Sequence, residues 1–347
     1  MFPMFIINTC QSEFRLVGMK NLIIKKHKTL HFVQCDNLNK TREIHCRFTP
    51  QTNESSIIFL LYRLLPLIIF LTLILTACTD AQVYKEKDID ICNSTFQLAV
   101  DENLQAKPIN DVVVEVGKSF IGTDYVSHTL EVDGDERLVI NFMGLDCNTF
   151  LEYALVFSRN IKQGKTTFDD YKNELTLIRY RAGTIDQYPS RLHYFTDWIY
   201  DNEKKVVIKD ITKKIGGELY KLNLSFMSDH PQYYKQLKEN ADFIPLIKQQ
   251  EEKISKRDYY FIPQEKIAEI ENEIEDGDLL AFTSKVKGLD VNHVGIAVRL
   301  DDRRIHVLHA PNVGYQIEIT NLPLAEYVMK IEKDSGVIVV RALEPTE

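Results

Sequence analysis

A cysteine at the predicted start of a helix is the residue of this sequence whose position most suggests chemistry. Cys147 follows Asp146, whose carboxylate can accept hydrogen bonds from the free N–H groups of a first helical turn. The apolar residues that then recur at helical spacing, placing the thiol at the edge of the buried face, are Phe150, Leu151, Ala154 and Leu155. The positive end of the helix dipole would favour the thiolate, which is the nucleophile. Cys147 is therefore a candidate nucleophile, although a lone cysteine is also a common core residue.

Two histidines downstream could serve such a thiol. The stretch around His293 alternates like a strand, with Gly295 and Ala297 on the same face, and these small residues would let a helix approach closely. His309 lies on the next predicted strand, so the two imidazoles could lie side by side. A cysteine hydrolase needs a base within reach of the thiol and a polar group that orients the base. His293 is predicted as the base and His309 as its orienting partner.

The elements that must position these residues fall into a helical part and a strand-rich part. Residues 158–275 give an irregular helical signal, and their clustered aromatics around Arg191 and His193 suit either core packing or one wall of a groove for a glycan or peptide. The strands at the end of the chain are separated by short turns, which predicts an antiparallel sheet or small barrel. The predicted helices are 112–120 (with a strand as the alternative), 231–237 and 251–256; the predicted strands are 131–141, a strand pair or strand and turn over 202–211, 277–282, 292–299, 304–310, 315–319 and 336–342.

The N-terminal part contains a segment that is not typical of a globular domain. Arg63 precedes an almost wholly apolar stretch, and small residues then lead to Cys78. This order is typical of a bacterial signal peptide, and the cysteine after the small residues resembles the lipidated cysteine of a lipoprotein. A transmembrane anchor is the alternative, but the apolar stretch is shorter than the roughly 20 residues that span a bilayer. We therefore expect a lipid anchor at Cys78, with residues 1–54 a leader of doubtful relevance.

Composition and charge narrow the classes of function. A net charge of -8 and the lack of a basic stripe argue against nucleic-acid binding. Neither zinc-ligand spacing nor a glycine-rich phosphate loop occurs in the sequence, and we expect no metal or cofactor. After removal of the predicted signal peptide the cysteines are Cys78, Cys92 and Cys147, which do not imply a disulfide framework.

The ordered set of motifs resembles a known family. A cysteine that opens a helix, followed by His293-Val294-Gly295-Ile296 and Leu308-His309-Ala310, is similar to the NlpC-type papain-like cysteine hydrolases of bacterial cell walls. Residues 122–125 resemble the glycine-x-x-tyrosine approach that precedes their cysteine. The resemblance implies that Tyr125 helps the Cys147 backbone N–H to stabilise an oxyanion. Valine, serine and histidine follow Tyr125 where that superfamily often has glycines.

A narrower likeness covers nearly all of residues 110–345. Stretches at 190–194, 226–231 and 288–293, with Trp198, are similar to the N-acetylmuramoyl-L-alanine amidase-like branch. It implies an α+β fold: a papain-like core of N-terminal helices on an antiparallel sheet or small barrel, with a largely helical insert. It also implies an amidase that acts on muropeptides, with Asp146, Arg191 and His193 as candidate substrate contacts. For Asp146, helix capping is the simpler interpretation.

The resulting domain organisation has four parts. They are a leader (1–54), a lipoprotein signal peptide (55–78), a tether with one short helix (79–108) and the amidase domain (109–345), with the insert at about 160–275. We expect a monomer in the cell envelope, on the periplasmic side or as an outer-membrane lipoprotein, whose substrate is peptidoglycan or a muropeptide. The alternatives are a γ-D-glutamyl endopeptidase that uses the same residues, and a catalytically inert, lipid-anchored cell-wall binding protein.

Overall fold

The computed structural model describes residues 82–312 and 315–346, together with two short strands near the N-terminus. Residues 1–78 and 79–347 form two separate units. In the first, β1 (Lys25–Lys26) and β2 (Thr29–Leu30) pair antiparallel. The predicted signal peptide, including Cys78, lies outside the described residues. No helix in the described ranges is long and apolar enough to cross a membrane.

The second unit contains both helices and strands. The helices are α1 (Glu86–Asp101), α2 (Ile109–Ser119), α3 (Cys147–Gln163), α4 (Phe168–Arg179), α5 (Phe195–Lys204), α6 (Phe226–Asp229), α7 (Lys235–Glu239), α8 (Phe243–Ser255), α9 (Ile267–Ile270) and α10 (Leu324–Met329). The strands are β3 (Gln82–Val83), β4 (Leu138–Val139), β5 (Ile208–Asp210), β6 (Glu218–Tyr220), β7 (Tyr259–Pro263), β8 (Leu279–Ser284), β9 (Val291–Arg299), β10 (Ile305–His309), β11 (Glu318–Ile319) and β12 (Asp334–Ala342).

An antiparallel sheet organises the second unit. Its strand order is β11-β10-β9-β8-β12-β7-β6, and β5 also pairs with β12. The prediction of an antiparallel sheet is confirmed, and four of the five strands predicted after residue 275 lie within about two residues of β8, β9, β10 and β12. The fifth, predicted over 315–319, is reduced to the two residues of β11.

The two faces of the sheet are covered differently. Val294, Ile296 and Val298 of β9 point into the main core, which α1 to α5 supply with aromatic and aliphatic side chains. Ala297 belongs to a second core on the other face, which α9 and α10 cover. Gly117 lets α2 approach closely, since a Cβ there would lie 2.9 Å from the side chain of Leu308. The cysteine helix α3 packs on α2 and on β9, which brings helix and histidine strand together.

Two N-terminal predictions are settled by packing. The helix predicted over 112–120 is confirmed as α2. The segment 79–108, predicted as a tether with a short helix, instead contains the 16-residue helix α1, whose Cys92 and Phe96 are buried in the main core. A weakly amphipathic helix is thus stabilised by tertiary contacts rather than by its own propensity.

Other predicted strands are shorter than expected. Over 131–141 only β4 is a strand, and Gly134 adopts a positive φ of 83° within a bend. For 202–211 the predicted strand pair is wrong, because α5 continues to Lys204, and the alternative of a strand and turn agrees with the turn that precedes the single strand β5. The segment 160–275 is more mixed than predicted, since it also supplies β5 and β7, which both pair with β12.

Candidate active site

The candidate nucleophile lies at the first position of a capped helix. Asp146 is the N-cap of α3: its Oδ1 accepts hydrogen bonds from the backbone N–H of Thr149 at 2.8 Å and from its hydroxyl at 2.8 Å. The Asp146 N–H in turn donates to the Thr149 hydroxyl at 2.9 Å, which completes a capping box. This geometry fixes the orientation of Cys147 at the start of the helix, and the Asp146 carboxylate is occupied by hydrogen bonds to the first helical turn.

Electrostatics at Cys147 differ from the sequence-based expectation. Burial and the Asp146 charge raise the pKa of the thiol to about 12, and the nearby backbone N–H groups of Val294 and Asn148 act in the opposite direction. The helix start was expected to favour the thiolate, but desolvation of the charged form outweighs the backbone dipoles here. The resting group is therefore a neutral thiol. The Val294 contact also places the sulfur beside the strand residue that follows His293.

The two predicted histidines are in direct contact. Nε2 of His293 lies 2.7 Å from Nδ1 of His309, with the rings edge to face at 4.9 Å between centroids. Their strands pair antiparallel, with Val307 opposite Ala297, so the imidazoles lie diagonally on neighbouring strands. Burial lowers the pKa of His293 to about 3, with a contribution from His309, and lowers that of His309 to about 4. Both imidazoles are thus neutral near pH 7.

Gly295 serves a different purpose from the predicted one. The small residues after His293 were expected to admit a helix, but α2 and α3 pack on the opposite face of β9. A Cβ at Gly295 would lie 2.5 Å from Val307 and 3.2 Å from the Cβ of His309. The glycine on β9 therefore leaves room for the side chain of His309, on the neighbouring strand β10, to reach His293.

Tyr125 lies beside the loop that leads to Cys147. It forms a parallel bridge with Leu145, and the N–H of Val126 donates to the Leu145 carbonyl at 3.1 Å. Val126, the residue after Tyr125, packs against Gly144, where a Cβ would lie 2.4 Å from its side chain. Burial and the charges of Cys147 and Asp146 raise the pKa of Tyr125 to about 12, so its hydroxyl stays a hydrogen-bond donor.

The two candidate residues from the insert lie in a different environment. Arg191 is 6% exposed, and its guanidinium donates to both carboxylate oxygens of Glu136 at 2.9 and 3.0 Å and to Glu131 at 3.1 Å. Nε2 of His193 lies 2.9 Å from the Tyr188 carbonyl oxygen, and burial with the nearby Arg191 charge lowers its pKa to about 3. Both side chains are thus engaged in protein contacts, and substrate binding by them stays a prediction.

Sequence reasoning missed one residue of this region. The Tyr327 ring on α10 packs edge-on against His309, with centroids 5.4 Å apart, and also contacts Phe282 at 6.0 Å. Burial raises its pKa to about 12, with contributions from the charges of Asp334, Glu318 and Cys147. A tyrosine in a six-residue helix carries no sequence signal that could have identified it.

In the part of the chain that the structure describes, no group of three or more histidine, cysteine or acidic side chains is arranged to hold a metal ion. The side chains proposed for the chemistry are a thiol, two neutral imidazoles and a tyrosine hydroxyl.

Fold and site together define an α+β protein in which a cysteine opens a capped helix packed on the strand of His293, and His293 contacts His309 on the next strand. The chain belongs to the AmiA-like, N-acetylmuramoyl-L-alanine amidase-like family, whose model matches residues 115–337. This match includes all seven residues proposed for the site from the sequence. A search of the curated proteins finds no match.

Solved structures agree with this assignment. A crystal structure of an N-acetylmuramoyl-L-alanine amidase from Bacteroides uniformis is 34% identical, covers 67% of this chain and 98% of its own, and superposes with a TM-score of 0.65. A Bacteroides fragilis protein provisionally named a xylanase is also 34% identical, over 66% of this chain and 99% of its own, with a TM-score of 0.63. A Legionella pneumophila protein at 17% identity covers 75% of this chain and 97% of its own with a TM-score of 0.56, which is a likeness of fold alone.

Proposed function

We propose that this protein is a cysteine-dependent N-acetylmuramoyl-L-alanine amidase with an NlpC-type, papain-like core. It hydrolyses the amide between the lactyl group of N-acetylmuramic acid and L-alanine in peptidoglycan or its fragments. The family and the names of the solved relatives support an amidase. The single observation that carries the mechanism is the 2.7 Å contact between His293 and His309, with the backbone N–H of the next residue, Val294, near the Cys147 sulfur.

The first half of the reaction forms a thioester. Nδ1 of His293 takes the thiol proton as Sγ of Cys147 bonds to the amide carbon, and the carbonyl π electrons move onto oxygen. The Cys147 N–H and the Tyr125 hydroxyl donate hydrogen bonds to this oxyanion. When the carbonyl re-forms, the C–N bond breaks, and His293 gives its proton to the departing L-alanine nitrogen.

The second half releases the sugar acid. His293, neutral again, takes a proton from water as the water oxygen attacks the thioester carbon. Collapse breaks the C–S bond, the sulfur leaves as thiolate, and His293 returns the proton to it. One amide and one water thus give one carboxylic acid and one amine, and the enzyme is unchanged.

The pKa shifts of the Cys147 thiol and the His293 imidazole determine at which step of the reaction the thiol proton is transferred. A thiol whose pKa is about 12 and an imidazole whose pKa is about 3 do not form a resting ion pair. Proton transfer is therefore coupled to attack on the carbonyl, and bringing the substrate carbonyl to the thiol is a condition for activating it.

Product analysis with one defined muropeptide tests the proposal. Wild-type protein should release the sugar and an intact stem peptide that begins with L-alanine, as identified by mass spectrometry. Cys147→Ala should lower turnover by more than about 10⁴-fold while the circular dichroism spectrum stays unchanged. Cleavage after D-glutamate would identify the endopeptidase instead, and equal turnover by Cys147→Ala would exclude the thiol mechanism.

We also propose a lipid anchor at Cys78, which would place the enzyme at the bacterial cell envelope. Small residues precede this cysteine after a short apolar stretch, the order of a lipoprotein signal. Mass spectrometry of protein purified from a bacterial membrane fraction should find N-terminal lipid on Cys78 and no residues before it. A Cys78→Ser variant that stays processed and membrane-bound like the wild type would exclude the anchor.

A further inference from the structure

Three ionisable side chains occupy one face of three successive strands. In the order β9-β10-β11, His309 on the middle strand lies directly opposite Glu318 on the edge strand. Opposite residues of an antiparallel pair project from the same face, with Cβ atoms about 4.5–5.5 Å apart. On its other flank His309 contacts His293 at 2.7 Å. The sheet therefore presents a row that runs from His293 through His309 to Glu318.

The middle residue of this row has one nitrogen without a partner. His309 is 1% exposed, and its Nε2 is buried without a hydrogen-bond partner among the described residues. Buried polar atoms in native proteins are almost always hydrogen-bonded, because an unpaired one loses its hydration without compensation. An acceptor or donor is therefore expected close to this nitrogen.

The proposed mechanism determines whether Nε2 of His309 is a hydrogen-bond donor or an acceptor. If Nδ1 of His293 receives the thiol proton, the hydrogen of neutral His293 is on Nε2 and is donated to Nδ1 of His309. Neutral His309 must then carry its own hydrogen on Nε2. The unpartnered nitrogen is thus a donor during catalysis, and it needs an acceptor.

Glu318 is placed to be that acceptor. Its side chain is exposed on the edge strand, and its carboxylate has no hydrogen bond or ion pair in the part of the chain that is described. Its charge also reaches Tyr327, whose ring packs on His309 at 5.4 Å. A rotamer change of this unrestrained side chain would direct the carboxylate toward His309 without moving the backbone.

We propose that Glu318 is a positioning residue whose carboxylate accepts the Nε2–H of His309 and so fixes the tautomer in which His309 holds His293. This role rests on the proposed function, because it assigns a fourth member to the same set of residues. Glu318 acts through two imidazoles and does not touch the substrate. It would stabilise the arrangement further when His293 is protonated, as a carboxylate behind a catalytic imidazole does.

Steady-state kinetics of the full chain on a defined muropeptide test this role. Glu318→Ala should lower kcat about tenfold or more and leave KM within about twofold, because the oriented base is lost but the substrate contacts are not. Glu318→Gln keeps an acceptor oxygen and should restore kcat to within about threefold of wild type. Glu332→Ala, which removes an exposed carboxylate from the loop before β12, is the matched control and should be unchanged.

The histidine tautomers provide a readout that does not depend on turnover. In ¹⁵N-histidine-labelled protein, His309 should carry hydrogen on Nε2, and Glu318→Ala should shift it toward a mixture of tautomers whereas Glu332→Ala should not. An unchanged tautomer in Glu318→Ala, or kinetics equal to those of Glu332→Ala, would overturn the proposal. A tautomer that responds in a protein without amidase turnover would support the Glu318 contact and reject the proposed function.

Discussion

At the scale of single residues, the thiol and both imidazoles of the candidate site are neutral, so the proposed mechanism requires the substrate to activate the thiol. The dipole at the start of α3 favours the thiolate, but the half-buried sulfur loses more by desolvation than it gains. A general expectation about helix starts therefore fails here because of a neighbouring carboxylate and the surrounding protein.

This balance predicts slow alkylation of Cys147 in the folded protein. With the pKa raised from 9.0 to about 12, the thiolate fraction at pH 8 is lower by about 1000-fold than for an ordinary thiol. Iodoacetamide labelling at pH 8, located by peptide mass mapping, should be slower by this order in the folded than in the urea-denatured chain. Cys92, fully buried with its pKa also raised to about 12, is the internal control. Equal rates for folded and denatured Cys147 would contradict the assigned electrostatics.

The two histidines should differ in their effect on turnover. His293→Ala removes the base and should lower kcat by about 10³-fold or more, whereas His309→Ala removes only its orientation and should cost about 10- to 100-fold. Both variants are measured with the muropeptide assay, with circular dichroism as the control for folding. A larger loss for His309→Ala than for His293→Ala would reverse the assigned roles.

The pH dependence of activity is a second test of the roles assigned to the two histidines. A general base works while it is neutral, and the pKa of His293 is lowered from 6.5 to about 3. The acid limb of kcat/KM should therefore lie near pH 3–4, and activity should be nearly constant from pH 7 to 5 wherever the protein stays folded. A midpoint near pH 6.5 would show that the imidazole is not desolvated in the free enzyme.

At the scale of elements, helix α3 depends on its cap as well as on its apolar face. Asp146→Ala should lower the free energy of unfolding by about 0.5–2 kcal/mol, because two N-terminal hydrogen bonds are lost. Asp146→Asn keeps an oxygen acceptor and should cost less, and by removing a negative charge it should lower the pKa of Cys147. Urea denaturation and alkylation rates measure the two effects. If both variants cost equally little stability, the cap is not important for the helix.

The ion pairs of Arg191 with Glu131 and Glu136 join the loop around β4 to the insert. Arg191→Met leaves Glu136, whose side chain is 4% exposed, without its cation, so we expect destabilisation of about 3–5 kcal/mol. Adding Glu136→Gln should recover part of this loss, as measured by thermal unfolding. If Arg191→Met instead raises KM without any loss of stability, the substrate-binding role predicted from the sequence would be the better one.

The sequence allowed prediction of elements with strong periodicity and missed those set by tertiary contacts. Strands such as β9 and β12 have long apolar patterns and were placed within two residues. In contrast, α1 was expected to be mainly tether because its sequence is polar, and burial of side chains such as Cys92 and Phe96 makes it part of the core. The alternation over 131–141 reflects acidic residues that face Arg191 rather than a strand.

At the scale of the whole unit, the site combines residues that are far apart in sequence. Period-two alternation was enough to predict that His293 and His309 meet, because both lie on neighbouring strands. It could not place the thiol, Tyr125 or Tyr327, which are supplied by a capped helix, a loop and a short helix. Those positions depend on the packing of α3 on β9 and of α10 on the opposite face, which no local pattern encodes.

Buried neutral histidines should also make stability depend on pH. For His193 the pKa is about 3 in the folded state and 6.5 as the ordinary value, so the unfolded chain binds more protons between these limits. Stability should therefore fall as the pH drops from 6.5 toward 3, and His293 and His309 add the same sign. Asp334 opposes them, because burial raises its pKa to about 6 and its contribution grows as the pH falls through that value.

A variant separates these opposing effects. His193→Gln keeps a donor for the Tyr188 carbonyl but cannot titrate, so between pH 6.5 and 5 it should lose up to about 2 kcal/mol less stability than the wild type. Urea denaturation of both proteins at the two pH values gives the difference, from which the other titrating groups cancel. Equal losses in variant and wild type would show that His193 is as solvated in the folded protein as in the unfolded chain. Its contact with the Tyr188 carbonyl would then be too weak to fix the clustered aromatic residues of the insert.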